Sequence, residues 1–168
     1  VNRSTTVKLH PLASFVGLNV HIPYDEYAPD GLVAARRGHG NTWIIMGTET
    51  EPAPFTIEYL DVEPQTQDFD AWEDVAEFSF EDAEADGEGD IFLTDSAAIA
   101  PDDLIALNQA GHGWYRIRVH ARDRGAAQEE YLVQAWPAPR AAPRTLKKTS
   151  AFADQAAAEY DTGSEFAS

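Results

Sequence analysis

The residues best able to do chemistry in this chain are carboxylates, and they are crowded. Asp82-Ala-Glu84-Ala-Asp86-Gly87-Glu88-Gly89-Asp90 offers oxygen ligands at alternate positions with a glycine at the sixth, the pattern by which a calcium loop of the EF-hand type makes its sharp turn. Its twelfth position is Leu93, where such a loop needs a bidentate glutamate, and its eighth is Gly89, where an apolar residue is usual. The segment therefore reads as a solvated acidic turn rather than a metal site. The five histidines, His10, His21, His39, His112 and His120, show neither H-x-H nor H-E-x-x-H spacing, so no zinc or iron site is written locally. There is no cysteine, no Gly-x-Ser-x-Gly elbow and no phosphate-cradling glycine loop. The expectation is a protein without catalytic residues, cofactor or metal.

A second constellation is cationic. In Trp114-Tyr-Arg-Ile-Arg-Val-His-Ala-Arg122 strict alternation puts Tyr115, Ile117 and Val119 on one face of a strand and Arg116, Arg118, His120 and Arg122 on the other. Side chains two apart on a strand stand roughly 6.7 Å apart, a spacing that suits phosphates. Glu73, Glu77 and Glu81 run along another polar strand face, however, and Glu130 lies on the expected hairpin partner. Cross-strand pairing with these carboxylates is the favoured reading, because like charges side by side in a sheet require opposite neighbours.

The charge is segregated along the chain. Between Gly38 and Tyr115 there is no lysine or arginine, yet 19 of the 29 acidic residues lie there, and the remainder, with 12 basic and 10 acidic residues, is slightly positive. A net charge of −17 built this way repels nucleic acid and anionic membranes and attracts a basic protein surface. Adaptation to high salt would spread carboxylates over the whole surface and fits less well. The residues expected to meet such a partner are Glu73, Glu77, Glu81, Asp82, Glu84, Asp86, Glu88 and Asp90.

The elements that must position these groups are mostly strands. Alternation marks Ser14–Ile22, Leu32–Ala35, Thr42–Met46, Phe55–Val62, Val75–Phe80, Ile91–Thr94, Trp114–Arg122 and Glu130–Trp136. Only Pro101–Gln109 reads as a helix in the body, with proline in its first turn, Asp102 and Asp103 at the positive end of its dipole and Gly111 beyond its end. The chain is thus expected to be all-β, a single-domain β-sandwich or open barrel with one short helix. At 168 residues, one core is expected over residues 1–139. Residues 140–168 read as a basic, then alanine-rich tail, partly flexible, with a candidate helix at Ser150–Tyr160. No apolar run reaches the ~18–20 residues of a membrane span, and a cytoplasmic location is expected.

Two stretches, Trp72-Glu-Asp-Val-Ala-Glu-Phe-Ser-Phe80 and Gly113–Arg122 followed by Glu130–Pro137, resemble in their order the competence protein J family and related uncharacterised actinobacterial proteins. The resemblance implies a β-rich fold and a role like that of the described member, which inhibits a DNA-entry nuclease. Together with the charge it leads to the expectation of an acidic, non-enzymatic protein-binding module of nuclease-inhibitor or immunity type. The alternative is a divalent-cation- or ligand-binding β-module without catalysis, centred on Asp82–Asp90.

Overall fold

A computed structural model describes residues 2–12, 14–18, 30–36, 41–65, 68–83, 89–95 and 104–159. Ten strands and one helix are assigned among them: β1 (Arg3–Leu9), β2 (Phe15–Leu18), β3 (Val33–Arg36), β4 (Asn41–Ile45), β5 (Ala53–Tyr59), β6 (Asp74–Asp82), β7 (Leu93–Thr94), β8 (Gly113–Arg122), β9 (Glu130–Pro137), β10 (Arg144–Lys148) and α1 (Ala151–Glu159). A six-stranded sheet has the order β1-β5-β9-β8-β6-β10, and a four-stranded sheet the order β3-β4-β2-β7. All pairings are antiparallel except β5 with β9. The all-β, sandwich-like expectation is met.

Alternation explains the layering. Ala76, Phe78 and Phe80 of β6, Tyr115, Ile117 and Val119 of β8, Tyr131 and Val133 of β9, and Phe55 and Ile57 of β5 are all buried in one cluster with Val16, Val33, Ile44 and Leu93 of the smaller sheet. Phe55 stacks on Tyr131 and Phe80 on Tyr115, with ring centroids 4.5 and 5.0 Å apart. This apolar cluster joins the two sheets, as period-two burial demands, and a smaller one sets Ile45 and Phe15 against Ala156 and Phe152.

Three expectations need correction. Residues 104–109 of the expected Pro101–Gln109 helix are not helical, and residues 101–103 lie outside the described residues. Tertiary bonds override the local signals: Asn108 accepts from the Ile91 amide through Oδ1 and donates from Nδ2 to Asp82 and to the Gly89 carbonyl, while the Leu107 amide donates to the Ile91 carbonyl. Residues 144–148, expected within a tail, form an edge strand of the six-stranded sheet. Arg144 and Thr145 pair with Glu77 and Ala76, and after a register shift Lys147 and Lys148 pair with Val75 and Asp74. The third correction is β1, which was not among the expected strands and pairs with β5 over its whole length. The C-terminal helix is present as α1, its N-terminus capped by Ser150 Oγ accepting from the Ala153 amide at 3.0 Å. Packing here is close: Gly31 has φ +70°, and a Cβ on it would overlap the Ala153 carbonyl oxygen.

Candidate functional site

The outer face of the six-stranded sheet carries the charged ladder, and much of it is buried. Arg116 and Arg118 are 4% and 1% exposed, and Glu77, opposite Arg118 in the β6–β8 register, is 4% exposed. Glu77 divides its oxygens between them: Oε1 accepts from Arg116 Nε at 3.3 Å, and Oε2 accepts from Arg118 at 3.2 to 3.3 Å. Arg116 then donates to Ser79 Oγ and to the carbonyls of Ala141 and Ala142 at 2.9 to 3.0 Å. Arg118 lies over the rings of Phe69 and Trp136 and reaches Glu63, itself 56% exposed, at 3.6 Å. Every charge in this layer has a partner, as burial requires. Further along β8, Arg122 pairs with Glu130 and stacks on Trp72. The cross-strand reading of the ladder is correct, and Arg116 and Arg118 offer no free anion-binding face.

His120 completes the row. Its ring packs against Phe69 and Trp72, and Nδ1 donates to the Leu132 carbonyl at 3.1 Å. Burial pushes its pKa down to about 4, against an upward pull from the Leu132 carbonyl, with the nearby Arg118 adding a smaller downward push. Asp30 moves the other way: burial raises its carboxyl to about 6, although the amides of Leu32 and Val33 donate to it and Arg124 lies near. The neutral histidine contributes stability that is lost as pH falls from about 6.5 towards 4; the protonated aspartic acid contributes stability that is lost as pH rises from about 4 through 6. The two oppose each other across the same window. Relative to wild type, His120→Leu should gain about 3 kcal/mol of stability on going from pH 7 to pH 4, and Asp30→Asn should lose a comparable amount, read from urea midpoints across that range.

A second buried network ties the C-terminal segment to the sheets. Asp74, 1% exposed, accepts from Arg124 Nη1 at 3.1 Å, Ser150 Oγ at 2.6 Å and the amides of Thr149 and Ser150. Arg124 also donates to the carbonyls of Gly31 and Ile45 and lies over Phe152, while its Nε has no partner among the described residues. Glu129 accepts from the amides of Gly47 and Gly125 and from the Tyr131 hydroxyl. Sequence reasoning assigned no role to Asp74, Arg124 or Glu129, whose partners lie up to 93 residues away.

The carboxylates expected to meet a partner divide into groups. Glu77 and Asp82 are buried and internally engaged, Asp82 by Asn108 and, at 3.4 Å, by His112 Nδ1, so neither belongs to a contact surface. Glu73 is half-buried and accepts from the Asp123 amide. Glu81 is half-buried and Asp90 exposed, while Glu84, Asp86 and Glu88 lie outside the described residues. Asp82, Asp90, Asn108 and His112 line an open hollow of about 360 Å³ at this end of β6. Further exposed acids come from the segment over the outer face: Asp61, Glu63, Asp68 and Asp70, beside Val62, which is 65% exposed. Their signal was present in the charge count, but not their location.

Among the described residues no group of three or more histidine, aspartate or glutamate side chains is arranged to hold a metal ion, and no helix is long and apolar enough to cross a membrane. Comparison with protein-family models, with curated proteins and with solved structures gives no match.

Proposed function

We propose that this protein is an acidic, non-catalytic binding module that captures a basic protein surface, of nuclease-inhibitor or immunity type, in the cytoplasm. One observation carries the reading: the buried Arg116 and Arg118 are paired within the fold, by Glu77 and, for Arg118, also by Glu63, whereas Asp61, Asp68, Asp70 and Asp90 are exposed. The outward field is therefore set by carboxylates, and opposite fields accelerate encounter with a cationic cleft. Exposed Val62 among these acids supplies an apolar contact of the kind that field alone does not give. The resemblance to nuclease inhibitors of the competence protein J family points the same way.

The test uses the partner captured from the source organism on immobilised wild-type protein. Reversing Asp68, Asp70, Glu81 and Asp90 to lysine should slow association about tenfold or more at low salt and flatten its salt dependence, with the urea midpoint nearly unchanged. Reversal of Glu49 and Glu51, exposed in the turn before β5, should change the rate little. Equal rates for wild type and the fourfold variant at both low and high salt would show that recognition lies elsewhere.

A further inference from the structure

The two edges of the six-stranded sheet are built differently. β10 is five residues long, is broken by a register shift between Thr145 and Lys147, and carries Arg144, Lys147 and Lys148. Short length, a bulge and clustered positive charge are the devices by which natural edges refuse another strand. β1 has none of them. It runs seven residues in unbroken register with β5, contains no proline, and presents the uncharged run Ser4-Thr5-Thr6-Val7 between Arg3 and Lys8. No described strand pairs with its outer edge.

We propose that β1 is an interface between two copies of this chain, joined antiparallel about a twofold axis through Thr6, so that the two six-stranded sheets become one. The sequence is self-complementary in this register. Thr6 faces Thr6 of the second copy, Thr5 faces Val7, Ser4 faces Lys8 and Arg3 faces Leu9, so no charge meets its like directly across the axis. Opposite residues share a face of the sheet, and within one copy Ser4 already stands opposite Glu58. Lys8 of the second copy thus reaches over the small Ser4 towards the Glu58 carboxylate, and symmetry repeats the contact. Lys8 is exposed and makes no ion pair among the described residues of its own copy. Thr6 Oγ1 lies 3.0 Å from Thr56 Oγ1, so the axis would extend an existing row of hydroxyls across the junction.

The absence of cysteine makes the register directly testable. Residues facing each other across an antiparallel pair have Cβ atoms about 4.5–5.5 Å apart, close to disulfide reach, whereas two Ser4 residues would stand about 14 Å apart. In the full chain, Thr6→Cys should form a disulfide-linked dimer under mild oxidation at least tenfold faster than Ser4→Cys. Sedimentation of wild type should show a dimer, and Thr6→Lys, at an exposed site, should weaken it at least tenfold while leaving the circular dichroism spectrum in place. A wild type that stays monomeric at several hundred micromolar, with Thr6→Cys linking no faster than Ser4→Cys, would overturn the interface, whether β1 is then bare or taken by a strand from another protein. A dimer in which Ser4→Cys links faster would overturn the register.

Discussion

Glu77→Ala should cost about 3–5 kcal/mol in urea denaturation, since it strands two guanidinium groups in a layer where, among the described residues, the exposed Glu63 is the carboxylate left to Arg118 and Arg116 keeps none. Against a total stability of about 5–15 kcal/mol that is a large share. Glu77→Gln keeps the shape and some hydrogen bonds but not the charge, and should fall between. The combined variant Arg116→Met, Glu77→Leu, Arg118→Met should recover a good part of the loss, because it removes the charges together and Ala141 and Ala142 are exposed enough for their freed carbonyls to meet water. If Glu77→Ala were no less stable than an exposed Asp70→Ala control, the triad would not be the buried cluster described.

Asp74→Ala should be of similar size and different in character. It removes the acceptor for Arg124, Ser150 and Thr149 at once, leaving a buried arginine whose Nε already lacks a partner among the described residues. A loss of about 3–5 kcal/mol is expected, with a regional signature: amide exchange should rise more in β10 and α1 than in β8 and β9, because the loosened bonds are those that hold residues 149 and 150. Uniform acceleration across the sheet would contradict the view that Asp74 is the anchor of this segment.

The strands were legible because a sheet with one apolar face writes its period into the sequence; β8, with Tyr115, Ile117 and Val119 turned inward, is the clearest case. Pairing of the arginine ladder with glutamates followed from the same alternation. Its burial did not, because the covering groups are Phe69, Trp72 and the carbonyls at 141 and 142, which belong to connections and carry no periodic signal. That is why Glu77 passed for a surface carboxylate. β10 was missed for a related reason: its residues form a strand through pairing with β6, and Arg144, Lys147 and Lys148 between prolines and an alanine-rich stretch look like tail. Over 104–109 the expected helix gives way at Asn108, whose side-chain amide is used up by Ile91, Gly89 and Asp82.

The closing segment also sets the order in which the molecule can be made. Ala141, Ala142, Thr149 and Ser150 provide acceptors for Arg116 and donors for Asp74, groups whose strands emerge from the ribosome about 25 and 75 residues earlier. Until those late residues are available, the nascent sheet holds an arginine and an aspartate that it cannot bury without penalty, so they must remain in contact with water. This part of the fold therefore waits for residues 141–150: a chain that lacks them is kept open there by its own charge, and stops being so when β10 and α1 close over it.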